Sequence, residues 1–315
     1  MNPKSPEARN RDDNPFDGLK ISKSVELDSL DSRSPCPRCG KSRMYFCYTC
    51  FVPVTQLDGR IPLCTYSIFV FQLPIKVDII KHKREIDGKS TAAHAAVLAP
   101  NDVNVYTYPE IPDYELNGRT VLLYPGIEAC TVKELFTGKI ESKTYSENVL
   151  AELPSGYNVG TLRTKILNSD FDVNEIFHVD KLPIERLILI DSTWNQSRGI
   201  FADSRLQKIP KVVLQNRISQ FWRHQKGSPR WYLSTIEALH QFLLELHASA
   251  WGLSPNYQND LTVNYPRHSQ EHHIYCRPYE GEYDNLLYFF KFMYEKLHTL
   301  YKHEDMLAYK RPMKL

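Results

Sequence analysis

The apolar run Leu187-Ile188-Leu189-Ile190 is followed at once by Asp191-Ser192-Thr193-Trp194, and this junction restricts the fold more than any other segment. Four consecutive aliphatic residues without polar alternation read as a strand buried on both faces, the kind found inside a parallel sheet. Open α/β sheets place their ligands outside the carboxyl ends of such strands. Residues 195–206 have helical character, so Ser192, Thr193 and Trp194 occupy a strand-to-helix turn. Asp191 then has two readings: a cap for the following helix, or a charge held at a ligand-binding edge.

Strand-like and helical segments alternate along the chain, which argues for an α/β domain. Residues 77–80, 103–106, 121–124, 187–190 and 212–214 are the predicted strands of a mostly parallel core. Residues 90–98 form a short Ala-rich helix with Ser90 and Thr91 in its first turn. The spacing in 235–246 puts Ile236, Leu239, Leu243 and Leu246 on one helix face. In 284–301 it aligns Leu286, Phe290, Met293, Leu297 and Leu300, a core stripe rather than a cofactor box. Residues 1–34 are polar and rich in Ser, Asp and Asn, and are expected to be a disordered tail. The main domain spans 54–315, with an insertion near 138–180 where no period is sustained.

A chain of 315 residues with 42% hydrophobic content can bury a substantial core. No run approaches the ~18 apolar residues of a membrane span. Met1-Asn2-Pro3-Lys4-Ser5-Pro6 has no apolar signal-peptide core, so an intracellular protein without membrane partners is expected. Seven cysteines in such a protein point to metal or structural thiols before disulfides. Cys36 and Cys39, then Cys47 and Cys50, form two Cys-x-x-Cys knuckles that can wrap one tetrahedral zinc ion in a module at 35–53. Pro37, Arg38 and Gly40 suit the tight turn of the first knuckle. No further polar ligand lies near to activate water, so the expected zinc is structural. Cys64, Cys130 and Cys276 lack partners in sequence and read as small apolar residues, and His272-His273 reads as a surface pair.

A net charge of +2 is too small to argue nucleic-acid binding, but its distribution says more. Residues 204–236 contain no Asp or Glu, while Arg205, Lys208, Lys211, Arg217, Arg223, Lys226 and Arg230 alternate with Phe221, Trp222, Trp231 and Tyr232. Cations neutralise phosphates and aromatic faces stack on splayed bases, so this window is expected to bind looped or single-stranded RNA. Lys83 and Arg84 extend the basic surface toward the Asp191 edge.

Four blocks occur in an order that resembles the DTW-domain family: His82-Lys83-Arg84-Glu85 with Lys89-Ser90-Thr91; Leu122-Leu123-Tyr124-Pro125-Gly126; Ile190-Asp191-Ser192-Thr193-Trp194; and Leu233-Ser234-Thr235-Ile236-Glu237-Ala238. The resemblance covers about residues 36 to 250, and departs from the bacterial pattern at Ser90, where an Asn is usual. It implies a SPOUT-like knotted sheet, a nuclear location, and tRNA-uridine aminocarboxypropyl transfer from S-adenosylmethionine, with the D-loop as target. On that reading Asp191 either takes the N3 proton of uridine or holds the methionine amino group, with Thr193 beside it in the signature. Trp194 supplies a wall for adenine or for the flipped uracil. Ser90 and Thr91 are placed to bind a carboxylate, and Tyr124, Pro125 and Gly126 form a turn the cofactor can approach. Ser234, Thr235 and Glu237 are either a capping motif or cofactor contacts. Two other functions fit the same residues: an S-adenosylmethionine-dependent RNA methyltransferase, and a non-catalytic zinc-stabilised RNA-binding protein.

Overall fold

A computed structural model of the chain describes residues 14–63, 72–126, 128–137, 176–214, 217–225, 227–262, 265–267 and 277–311. Its first segment corrects the expectation of a disordered tail for 14–34. Phe16 is 3% exposed and meets the rings of Tyr294 and Phe290 edge-on at 5.2 and 6.2 Å. A one-turn helix, α1 (Val25–Asp28), buries Leu27. Lys20 N and Ser22 N donate to Asp284 Oδ2 and Asn285 Oδ1 at 2.6 and 2.8 Å. Few apolar residues suffice here because side-chain acceptors, the buried Asp284 and the half-buried Asn285, satisfy the backbone between them. The expectation for 1–13 falls outside the described residues.

The cysteine module consists of two hairpins, β1 (Ser34–Pro35) with β2 (Ser42–Arg43) and β3 (Phe46–Cys47) with β4 (Val52–Pro53). Both knuckles close the same way: Gly40 N donates to Cys36 O at 2.9 Å, and Phe51 N to Cys47 O at 2.8 Å. Gly40 and Phe51 stand at φ of 69° and 53°. That left-handed backbone is free for Gly40 and costs a residue with a Cβ about 1–2 kcal/mol. The module packs on the rest of the fold through Tyr45, which meets Phe292, and Phe46, which meets His94 and Phe289.

Among the described residues the main sheet has six strands: β5 (Lys76–Lys81), β6 (Val103–Thr107), β7 (Thr120–Leu123), β8 (Cys130–Thr131), β9 (Arg186–Asp191) and β10 (Lys211–Val213). Their order is β6-β5-β9-β7-β10-β8, and every pairing is parallel. Later strands therefore slot between earlier ones, β9 between β5 and β7, and β10 between β7 and β8. Alternation sends Val77, Ile79, Val121, Leu187 and Leu189 to one core, and Ile80, Leu122 and Ile188 to the other. Asp78 is a buried acid within β5, held by Arg186 Nη1 at 2.7 Å and Asn104 Nδ2 at 3.1 Å.

Among the described residues five more helices follow: α2 (Ala92–Leu98), α3 (Trp194–Phe201), α4 (Ser204–Gln207), α5 (Thr235–Trp251) and α6 (Tyr288–Leu300). The larger core gathers α2, α5 and α6, and the smaller one takes Ile200 of α3 and Leu206 of α4. The single helix expected over 195–206 breaks because Asp203 caps α4, accepting from Arg205 N at 3.0 Å. The α5 stripe of Ile236, Leu239, Leu243 and Leu246 is buried, but so are Glu237, His240, Gln241, Glu245 and His247 on its other sides. At the end of α6, Leu300 is 70% exposed and leaves the predicted core stripe. Cys130 is half-buried in β8, while Cys64, Cys276, His272 and His273 lie outside the described residues. Of the expected insertion, 138–175 also lies outside; where it rejoins, Phe177 stacks on Phe136 and Trp251 Nε1 donates to Val179 O at 2.7 Å. Among the described residues no helix is long and apolar enough to cross a membrane.

Candidate active site

Period-two alternation turns Asp191 toward the same side as Leu187 and Leu189, where the first turns of α2 and α5 converge on the carboxyl end of β9. Asp191 is 5% exposed. Ser90 Oγ donates to its Oδ2 at 2.6 Å and Thr235 Oγ1 to its Oδ1 at 2.5 Å. The cap of α3 is Thr193, whose N–H donates to Gln196 Oε1 at 3.2 Å, so the helix-cap reading of Asp191 is corrected. Burial pushes the Asp191 carboxyl above the ordinary aspartate value, and the two hydroxyls and the Lys81 ammonium only partly oppose it. Lys81 is itself ion-paired to Asp87.

The remaining hydroxyls stitch the frame together. Ser90 Oγ accepts from Ala92 N and Thr91 Oγ1 accepts from Ile236 N, each at 3.1 Å. Ser234 N and Oγ both donate to Glu237 Oε2, at 2.9 and 2.8 Å, in a capping box for α5. Ser219 Oγ and Gln220 N donate to the same carboxylate. Ser90, Thr91 and Ser234 hold these internal bonds and also line the cavity over Asp191. Thr235 spends its hydroxyl on Asp191.

A cavity of about 540 Å³ opens over Asp191. Trp194 and Tyr232 form an aromatic wall with ring centroids 4.4 Å apart, and Tyr124 stands 6.3 Å from Trp194 while stacking on Phe201 at 4.3 Å. Tyr124 and Pro125 line the cavity and Gly126 does not; a Cβ at Gly126 would meet nothing within 4 Å, so packing does not demand glycine there. Glu85 and Arg223 line another part of the wall, and Arg223 Nη2 donates to Gly88 O at 3.3 Å. Glu85 is raised above the ordinary glutamate value by burial and by the charge of Asp191. Sequence reasoning gave no role in the cavity to Tyr232; its only signal was the aromatic spacing of the acid-free window.

Several of the cations in that window turn inward among the described residues. Arg217 is 7% exposed, its Nη1 within 3.1 Å of His240 Nδ1 and 3.4 Å of Glu237 O. Arg230 is buried too, with Nη2 donating to Ser219 O at 3.0 Å and the guanidinium over the Tyr309 ring. Lys211 is buried, its ammonium pushed down to about 8 by desolvation, and Arg205 pairs with Asp203 at 2.7 Å. Arg217 and Arg230 are thus corrected from RNA contacts to internal props: they turn inward because carbonyls and Glu237 meet them there. Lys226 lies outside the described residues. Lys83 and Arg84 are exposed on the loop that leaves β5 beside the cavity.

The Sγ atoms of Cys36, Cys39, Cys47 and Cys50 all lie within 4.8 Å of one another, and those of Cys39 and Cys47 are 3.7 Å apart. Four sulfurs on one tetrahedral ion at ~2.3 Å stand about 3.8 Å apart, so the set can hold one metal ion. Arg38 N and Cys50 N point at the Cys36 and Cys47 sulfurs, each at 3.4 Å. Burial opposes ionisation of Cys47, but the Arg43 guanidinium and backbone N–H groups outweigh it and bring the thiol down to about 6. Arg43 also sits 3.8 Å over the Tyr48 ring. A Cβ at Gly88 would lie 3.7 Å from that ring, so the second knuckle backs the loop that carries Glu85 and Ser90.

A family model described as the DTW domain matches residues 44–298. The chain is 39% identical over 275 residues to tRNA-uridine aminocarboxypropyltransferase 1 of Xenopus laevis, covering 86% of this chain and 82% of that protein. It is 39% identical over 266 residues to the Mus musculus protein of the same name, covering 83% and 76%. The Homo sapiens protein is 40% identical over 268 residues, covering 84% and 76%. No solved structure matches the chain. With a family model across most of its length and relatives near 40% identity over more than four-fifths of it, the chain belongs to the DTW-domain family.

Proposed function

We propose that this chain is a tRNA-uridine aminocarboxypropyltransferase. It moves the 3-amino-3-carboxypropyl group of S-adenosylmethionine to N3 of a tRNA uridine, in the D-loop by the resemblance. The observation that carries the reading is Asp191: a buried carboxylate braced by hydroxyls from two helices, facing an aromatic-walled cavity. The names of the relatives support tRNA-uridine aminocarboxypropyl transfer, and the resemblance supplies the donor and the N3 target. A volume of about 540 Å³ falls within the ~300–1,000 Å³ range of small-molecule sites.

In the step proposed, the N3–Cγ bond forms as the Cγ–sulfonium bond breaks. The bonding pair goes to sulfur and methylthioadenosine leaves. The N3 proton passes to Asp191, which burial makes more basic than a solvated aspartate, and whose oxygens keep free lone pairs beside the two hydroxyl bonds. Trp194 and Tyr232 stack a planar base, Thr193 fixes the turn that presents Trp194, and Tyr124 and Pro125 continue the wall beside Trp194. Lys83 and Arg84 meet tRNA phosphates at the mouth. Cys36, Cys39, Cys47 and Cys50 hold a structural Zn²⁺ that supports the loop under the cavity. The reading includes a SPOUT-like knotted sheet, supported by the insertion of β9 and β10 between earlier strands.

The test is mass spectrometry of nucleosides and small products after incubation of the protein with tRNA and S-adenosylmethionine. Aminocarboxypropyluridine with methylthioadenosine is expected. Methylated uridine with adenosylhomocysteine would make the chain a methyltransferase. Tight tRNA binding with no bound S-adenosylmethionine would make it an RNA-binding protein.

A further inference from the structure

The group transferred in the proposed reaction bears an ammonium and a carboxylate on one carbon. Its site must therefore set opposite charges side by side. Ser90 Oγ donates to Asp191, Ser234 Oγ donates to Glu237 and Thr91 Oγ1 accepts from Ile236 N, and none of these neutral hydroxyls supplies a positive charge to match the carboxylate. The charged residues lining the cavity among those described are Glu85, Lys89, Asp191 and Arg223, together with the exposed His224. Lys89 is exposed, whereas Glu85 and Arg223 are both half-buried.

Glu85 and Arg223 arrive from different segments, and the bond from Arg223 to Gly88 O ties those segments together. Each feels the other's charge. Yet no salt bridge joins them, Arg223 makes no other hydrogen bond among the described residues, and the Glu85 carboxylate accepts none there. Two opposite charges partly withdrawn from water and left unpaired are unfavourable by themselves. They become favourable when a zwitterion completes both at once. A guanidinium presents a planar fork of donors matched to a carboxylate, which a lysine does not.

We propose that Arg223 binds the α-carboxylate and Glu85 the α-ammonium of the transferred group. The clamp aims Cγ at the uridine and sets the preference for S-adenosylmethionine over analogues without the carboxylate. Arg223 thereby leaves the RNA-contacting set and becomes a substrate contact. The assignment rests on the transferase reading.

Calorimetric titration of the full chain with S-adenosylmethionine and with decarboxylated S-adenosylmethionine tests it. The wild-type protein should prefer S-adenosylmethionine by about tenfold or more, the scale of a charge-assisted hydrogen bond. Arg223→Gln should weaken S-adenosylmethionine by about that factor and leave the decarboxylated analogue unchanged, so that the preference disappears. Glu85→Gln should weaken both ligands alike, because both keep the amine. Arg223→Lys should restore part of the preference, and its melting transition and that of the Gln variant should match wild type. Equal weakening of both ligands by Arg223→Gln, or a surviving preference, overturns the clamp while leaving the transferase reading intact. A wild-type protein that binds neither ligand overturns both.

Discussion

Asp191→Asn should separate activity from stability. The substitution keeps the side-chain shape and removes one buried charge beneath the first turns of α2 and α5. The folded carboxyl lies above its unfolded value because burial outweighs Ser90, Thr235 and Lys81. Such a group contributes stability in full below the unfolded value and loses it as pH rises through the folded one. Ionised Asp191 is therefore a net cost at neutral pH, about 1.4 kcal/mol for each pH unit of elevation. Asn escapes that cost. Against this, one of the two hydroxyls must turn from donating to accepting, which costs about 1 kcal/mol where its own proton is left without a partner. The two effects offset. The Asn variant should melt within about 2–4 °C of wild type at pH 7, and its stability relative to wild type should fall as the pH is lowered.

The rate should respond very differently. Removing a general base costs about 10²- to 10⁴-fold, or roughly 3 to 5.5 kcal/mol of transition-state stabilisation. Single-turnover modification of tRNA at saturating S-adenosylmethionine, read by nucleoside mass spectrometry, isolates that step from binding. The wild-type rate should drop at low pH as Asp191 takes up its proton, and the residual rate of the Asn variant should lack this limb. Near-normal modification by a variant of unchanged melting temperature would refute the proton role. Collapse of the melting transition along with the rate would reduce Asp191 to a structural carboxylate.

Thr235→Val removes one of the hydroxyls that favour the charged form of Asp191, so the acid limb of the pH–rate profile should move to higher pH. An unmoved limb would show that another group controls it. Metal analysis should find about one zinc per chain; Cys39→Ser should lose it, lower the melting temperature and loosen the loop that Tyr48 backs, seen as faster amide exchange near Gly88. Replacing Lys83 and Arg84 together by Ala should reduce the slope of log affinity for tRNA against log salt by about 1.5, whereas Arg217→Met should leave the slope alone and destabilise the fold. Phe16→Ala should cost about 3 kcal/mol in denaturant unfolding, a loss that a disordered tail would not show.

The strands were legible where burial on both faces leaves a run of aliphatics, as in β5, β7 and β9. β8 was not, because two residues, Cys130 and Thr131, carry no period and owe their strand to pairing with β10. The helix α5 was legible as a helix with one buried stripe, but the burial of its other sides was not. Its polar residues do not face water. His240 Nε2 meets Asp284 Oδ1 at 3.0 Å, Gln241 Nε2 donates to Tyr265 OH at 2.8 Å, and His247 Nδ1 meets Tyr283 OH at 3.0 Å. A buried polar residue with a distant partner has the same spelling as a solvated one, and only the tertiary pairing tells them apart. Asp284 also takes hydroxyl bonds from Tyr257 and Tyr279. Although burial pushes its carboxyl upward, His240 and these hydroxyls hold it below the ordinary range.

Within the candidate site, Asp191 stood out because an acid directly after a doubly buried strand has few other reasons to be there. What holds it did not stand out: Ser90 and Thr235 are remote in sequence and reach it only because two helices start over one strand end. The basic window failed for a related reason. Counting cations measures charge and says nothing of direction. Arg217 and Arg223 share one acid-free run, yet Arg217 points into α5 and Arg223 into the cavity. The switch between them is Glu237, whose carboxylate holds Ser219 Oγ and Gln220 N and so pins the backbone between the two arginines. The acid that pins the backbone between the two arginines lies just beyond the end of the window, where a search for a run without acids stops.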